Sequence, residues 1–375
     1  MTSPPYGVLY FFGGPGASDG AFAEAPLVDV NGTLYGTTGN GGTSGFGTVY
    51  SISPSGTEQV LYSFMGGSDG ENPVAGLTNV SGTLYGTTSR GGLSDQGTVF
   101  SISASGSETE LHSFSGNPDG SGPRGALLNV NGTLYGTTSG GGANGAGTVF
   151  TITTSGAETV LYSFAGGSDG AGPQAGLIDV KGMLYGTTNG GGSSAFGTVY
   201  RVSTAGAEKV LYSFTAGSDG RSPQAGLRNV NGNLYGTTYY GGGGDCHGRR
   251  GCGTVYRVSL AGKEKVVYAF RGWLSSDGAL PVGGVIDVRG KLYGTTYAGG
   301  SGDCGYPNGC GTAYSVTPNG SETVLHSFAR TSSDPGKPVA NLIVVNGTIY
   351  GTTEAGGKTR TGCPHGCGGV FTLSP

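Results

Sequence analysis

Gly32-Thr33-Leu34-Tyr35-Gly36-Thr37-Thr38 is repeated almost letter for letter as Gly82-Thr83-Leu84-Tyr85-Gly86-Thr87-Thr88. The core phrase Leu-Tyr-Gly-Thr-Thr, or a near copy, returns at Leu134, Leu184, Leu234, Leu292 and Ile349. The intervals are 50, 50, 50, 50, 58 and 57 residues. A unit repeated at that period cannot bury its apolar face alone and must stack on its neighbours. Seven copies point to a closed ring.

Within the second unit four short segments recur: Ala75-Gly76-Leu77-Thr78-Asn79-Val80, then 82–88, 97–103 and 108–114. Each is rich in Val, Leu, Tyr, Phe and Thr and bounded by Gly, Asn, Ser or Pro, the signature of strands between tight turns. Asn31-Gly32, Asn131-Gly132, Asn231-Gly232 and Asn346-Gly347 suit two-residue hairpins, because both residues tolerate positive φ. Four antiparallel strands per unit make a propeller blade. The fourth-strand phrase first occurs at Val8 to Phe12, before any other strand, and the last unit (338–374) ends without one. The expectation is an all-β, seven-bladed propeller forming one domain over 1–375, with residues 8–12 completing the blade formed by 338–374.

The chain has 82 glycines in 375 residues and only 11% charged residues, but its apolar residues are strictly periodic, which excludes a low-complexity reading. It contains no apolar run long enough for a helical membrane span, and residues 1–7 lack the basic and apolar regions of a signal peptide. A net charge of −4 without basic clusters gives no support for nucleic-acid binding. The glycine runs 140–147 and 241–244 precede strands rather than helices, so no nucleotide cofactor is expected. Each Ser-Asp-Gly connection offers a single carboxylate, too few for calcium, and its Asp is expected to cap its own turn. A monomer is expected.

Between the Thr-Thr pair and the third strand, the first blade spends residues 39–46, whereas the last three spend 239–252, 297–310 and 354–367. All six cysteines lie in these three longer loops, as Cys246 with Cys252, Cys304 with Cys310, and Cys363 with Cys367. An even count with one pair per loop favours intraloop disulfides over bridges between loops. A metal site built with His247, His365, Asp245 or Asp303 is the weaker reading, since no loop supplies four good ligands. In an up-and-down blade, these loops share a face with the connection into the next blade. That face is the expected binding surface.

Subtracting the repeat leaves the candidate site. The residue after the Thr-Thr pair is Gly39, Ser89, Ser139, Asn189, Tyr239, Tyr297 and Glu354 in turn, with Arg90 and Tyr240 one position on. Near the start of the innermost strand come Glu24, Arg124, Gln174 and Gln224. Tyrosines beside polar groups suit stacking on sugar rings or holding a peptide. Trp273, the only tryptophan, is a further ligand-platform candidate. Glu24 and Glu354 fall on blades adjacent across the seam, where a carboxylate pair with Arg124 nearby would suit acid and base chemistry. His112 and His326 replace a packing tyrosine on outer strands, and no nucleophilic triad is nominated.

Gly-Thr-Leu-Tyr-Gly-Thr-Thr, then Gly-Gly, Gly-Thr-Val-Tyr and Val-Leu-Tyr-Ser-Phe, together resemble the bacterial GloVer tandem repeat of the choice-of-anchor proteins, over about residues 7–374. The resemblance implies an exported or surface-attached propeller, with any signal or anchor segment outside this chain, and implies no particular activity. The functional expectation is a secreted or cell-surface recognition module for a carbohydrate or, second, a protein. The alternative is a polysaccharide-cleaving lyase or glycoside hydrolase.

Overall fold

The computed structural model describes residues 6–13, 18–246, 249–272, 277–302, 304, 309–359 and 362–375. Each repeat forms its own antiparallel sheet, giving seven blades. In the first, Val28–Val30, Thr33–Thr38, Thr48–Ile52 and Glu58–Ser63 pair in chain order from the axis outward. The seventh takes its outermost strand from the N-terminus: Tyr6–Phe11 runs antiparallel to Gly369–Leu373, with Tyr6 opposite Leu373 and Phe11 opposite Gly369. The chain is thus an all-β seven-bladed propeller whose first strand closes its last blade.

The hairpins form as the sequence predicts. Asn31 and Gly32 both take positive φ (54° and 87°), and Asp29 Oδ1 accepts the Gly32 N–H at 2.9 Å. The innermost strands are shorter than the pattern suggests, with only Thr78–Val80 paired out of 75–80. Around the axis neighbouring backbones approach too closely for a regular ladder. A Cβ on Gly76 would lie 2.7 Å from Pro26, and one on Gly125 would strike the backbone of Ala175 and Gly176.

The repeated phrase is explained by packing. The third strand of every blade carries a fully buried aromatic: Tyr50, Phe100, Phe150, Tyr200, Tyr256, Tyr314 or Phe371. Its ring lies over the glycine of Leu-Tyr-Gly-Thr-Thr, where any side chain would collide with it. The same ring meets, edge to face, the phenylalanine that follows the outer strand of the preceding blade. The centroid distance is 4.9 Å for Phe12–Tyr50, 5.1 Å for Phe64–Phe100 and 5.0 Å for Phe328–Phe371. Such pairs contribute about 0.5–1.5 kcal/mol each beyond their burial. Phe12 makes this contact across the seam, so closure uses the interaction that joins every other pair of blades.

The two threonines divide the remaining work. The second bonds within its blade, as in Thr38 Oγ1 to Thr48 Oγ1 at 2.8 Å. The first donates to the next blade in Thr37 to Ala75 O (3.2 Å) and Thr187 to Ala225 O (3.1 Å), and across the seam in Thr352 to Ala25 O (3.0 Å). The Asp of each connection caps its turn, as in Met65 N–H to Asp69 at 2.6 Å. It also accepts a hydrogen bond from the outer strand, as in Tyr62 Oη to Asp69 (2.6 Å) and Tyr10 Oη to Asp19 (2.7 Å). His112 and His326 take the tyrosine's place and keep the contact, each 3.1 Å from Asp119 and Asp334 respectively.

The Tyr200 hydroxyl is buried without a hydrogen-bond partner and lies 2.5 Å from where a Cβ on Gly186 would sit. Tyr200→Phe therefore leaves stability unchanged or raises it by up to about 1 kcal/mol. Gly186→Ala lowers it by about 1–3 kcal/mol. Denaturant unfolding of the two variants checks both signs, and a tolerated Gly186→Ala would contradict the packing described.

Candidate functional site

The long loops and the blade-to-blade connections interleave on one face. Gly92 N–H donates to Gly67 O at 2.7 Å, Gly242 to Gly217 at 3.0 Å and Gly357 to Thr331 at 2.9 Å. Each long loop is closed by its own disulfide: Cys246–Cys252, Cys304–Cys310 and Cys363–Cys367. A bridge spanning so few residues restrains its loop more than it stabilises the fold. His247 and Asp303 lie outside the described residues.

At the mouth of the central channel is a cavity of about 250 Å³ whose walls include Glu24, Val74, Arg124, Gln174, Gln224, Val282 and Val339. These seven occupy one register position, one per blade, where the chain enters the innermost strand. Four of them are polar. Burial pushes the Glu24 carboxyl up to about 7, the nearby Glu354 carboxylate pushes the same way, and Arg124 opposes them. The structure therefore brings Glu24 and Arg124 to one cavity and sets Glu354, from the strand Thr348–Ala355 across the seam, within electrostatic reach. Asn341, which sequence reasoning did not single out, also lines this cavity and accepts the Gly284 N–H at 2.5 Å. A polar residue beside the small ones that hold this place in other blades was the available signal.

The remaining candidates separate. Tyr239 and Tyr297 line a second cavity, about 310 Å³, with Leu280, Ala298, Arg330 and Lys337. Lys337 Nζ donates to Tyr297 Oη at 2.9 Å and lies 4.9 Å from the ring centroid. Tyr240 instead packs edgewise on Tyr239 (4.5 Å between centroids) and beneath the Arg221 guanidinium (4.9 Å). Arg90 lines a third cavity, of about 410 Å³, with Phe46, Glu71 and Asn72. Trp273 lies outside the described residues.

At the outer rim, His112 and Glu158 on the outer strands of blades 2 and 3, with Asp119 in the connection between those blades, set donor atoms within 4.8 Å of one another. Burial opposes protonation of His112, yet Asp119 outweighs it and holds the imidazole pKa above its ordinary value. The arrangement reproduces the tyrosine–Asp contact of the other blades.

A ring of seven four-stranded blades, closed by its first strand and elaborated on one face, defines a β-propeller of the tandem-repeat class. The chain belongs to the Gloeobacter/Verrucomicrobia repeat family, whose model matches residues 2–96, 23–249 and 167–364. Among solved structures it is similar to a luciferin-regenerating enzyme, at 13% identity and a TM-score of 0.47, over 79% of this chain and 88% of that one. It is also similar to a Thermus thermophilus protein provisionally assigned as a glucose dehydrogenase, at 17% identity and a TM-score of 0.49, over 80% and 96%. No curated protein matches the chain in sequence.

Because the folded-state pKa of Glu24 lies above its ordinary value of 4.5, the folded protein favours the protonated carboxyl. The resulting stability is present below about pH 4.5 and is lost as pH rises through about 7. Gln mimics the protonated form. Glu24→Gln accordingly leaves stability near wild type at pH 4 and raises it by roughly 1–3 kcal/mol at pH 8. Six outer-strand glutamates, Glu58 among them, are raised to about 7 in the same way, so the comparison is made against wild type at each pH. Equal differences at both pH values would contradict the assignment.

Proposed function

We propose that this propeller is a recognition module that binds a carbohydrate at the channel mouth of its loop-bearing face. The observation that carries the reading is the convergence of Glu24, Arg124, Gln174 and Gln224 on one cavity, at a position where other blades place valine. An amide presents a donor and an acceptor side by side, and a guanidinium and a carboxylate each engage paired hydroxyls. This is the chemistry that a sugar ring's vicinal hydroxyls require. The faces of Tyr239 and Tyr297, on the same side of the ring, add stacking surface. Three disulfide-closed loops suit an oxidising compartment, which supports a secreted or cell-surface setting. We infer that the module acts as a monomer, with a protein partner as the second class of ligand.

A second reading, polysaccharide cleavage, draws on one observation: a carboxyl group with a pKa near 7 beside a second carboxylate is suited to general acid catalysis. Binding and turnover separate the two. On a glycan array, wild type gives a saturable signal that falls at least tenfold in an Arg124→Ala/Gln174→Ala/Gln224→Ala variant. Retained binding in that variant would remove the channel mouth from the site. Incubation with the glycans bound best leaves their chain length unchanged if the module only recognises them. Shortened products that disappear with Glu24→Gln would establish the enzymatic reading instead.

A further inference from the structure

A cavity of about 590 Å³ on the loop-bearing face lies between the connection leaving blade 6 and the Cys363–Cys367 loop of blade 7, and the channel-mouth reading does not use it. Its walls include Arg330, Thr331, Ser332, Lys358, Thr359 and His365. Two fixed cations and an imidazole face a space edged by three hydroxyls, and no carboxylate lines it among the described residues. In a chain of net charge −4 such a cluster is against the average. Arg330 also lines the cavity that holds Tyr239, Tyr297 and Lys337, so it joins a cationic groove to an aromatic one.

The backbone at Arg330 supplies an independent observation. The second residue after the outer-strand phenylalanine takes positive φ in blade after blade. It is Gly66 (74°), Gly116 (89°), Gly166 (79°), Ala216 (63°) and Gly272 (83°) before Arg330 at 51°. The left-handed region disfavours any residue that carries a Cβ, so a long cationic residue here is held against a local conformational preference. Strain of this kind points to a role outside the fold. Among the described residues the guanidinium makes one long hydrogen bond with the protein, Nη2 to Cys304 O at 3.5 Å, out of the five N–H donors it carries.

We propose that the groove formed by Arg330, Lys358 and His365 is an anion-recognition site for an acidic polysaccharide, taking carboxylate or sulfate groups carried on a sugar chain. Arg330 supplies a planar fork that matches a carboxylate or two sulfate oxygens, and Lys358 supplies a point charge. Thr331, Ser332 and Thr359 meet the sugar hydroxyls, and the adjoining tyrosines meet ring faces. A nucleic acid would need an extended track of cations to neutralise successive phosphates, whereas this cluster is confined to one concave site. The groove of Arg330, Lys358 and His365 shares no lining residue with the channel mouth, and the variants that test it leave the tyrosines intact, so either can fail without the other.

The test uses the whole chain, with polygalacturonate as the uronate probe, dextran sulfate as the sulfate probe, and neutral dextran and duplex DNA as controls, by calorimetry and affinity electrophoresis. At least one acidic polysaccharide binds, more weakly as salt rises, and neutral dextran does not. Which of the two binds assigns the anion. Arg330→Gly, the residue most other blades carry at this position, lowers that affinity at least tenfold while the melting temperature stays the same or rises. Lys358→Ala lowers it severalfold. Unchanged affinity in Arg330→Gly, equal binding of neutral dextran, equal binding of DNA, or no binding of either acidic polysaccharide would each overturn the proposal. A fall in affinity accompanied by a lower melting temperature would assign Arg330 a structural role and overturn it as well.

Discussion

The contact between a glycine in the second strand and an aromatic ring from the third is the constraint on which the rest of this protein depends. Removing the side chain at Gly36, Gly86, Gly136 and their equivalents opens a slot in the sheet, and Tyr50, Phe100, Phe150 and their counterparts fill it. The filled ring then packs against a phenylalanine from the blade before. Blade interior and blade-to-blade interface thereby become one packed unit, and the first threonine of the phrase reinforces the step with a hydrogen bond in five of the seven junctions. Thr87 and Thr295 are the exceptions, with hydroxyls buried and unpartnered. The aromatic step alone runs through all seven junctions.

A toroid assembled from one repeated contact leaves its other positions free to vary. The loop-bearing face shows the result. Its turns lengthen, acquire disulfides and change charge while each junction keeps its aromatic step, and loop and connection backbones hydrogen-bond to one another. Two distinct polar environments arise from that freedom. One surrounds the axis, where Glu24 is kept near neutrality by burial and by Glu354. The other lies out on blades 6 and 7, where Arg330, Lys337 and Lys358 gather.

Much of this was legible in the sequence because the repeat acts as a ruler. The period gave blade count and strand order, the phase offset of Val8 to Phe12 gave the closure, and the one-pair-per-loop cysteines favoured the bridges that are present. The channel-mouth set was also legible, since Glu24, Arg124, Gln174 and Gln224 share one register position. What escaped was tertiary in origin. Tyr239, Tyr240 and Tyr297 read alike in sequence, but Arg221 holds Tyr240 against Tyr239 while Lys337 holds Tyr297 at the second cavity. Arg330 stands where earlier repeats have glycine or alanine, and its importance emerges only when φ at that position is known. The short innermost strands reflect crowding at the axis, which no single repeat encodes.

Native-state hydrogen exchange of the N-terminal strand tests the central claim most directly. If the Phe12–Tyr50 step closes the ring as its six counterparts join the other blades, the hydrogen-bonded amides of Tyr6–Phe11 exchange only through global opening. Their protection then equals that of Glu58–Ser63 and Glu158–Ser163. Exchange through a local opening several orders of magnitude faster than those strands would contradict the account, and would leave six joined blades with the seventh completed only intermittently.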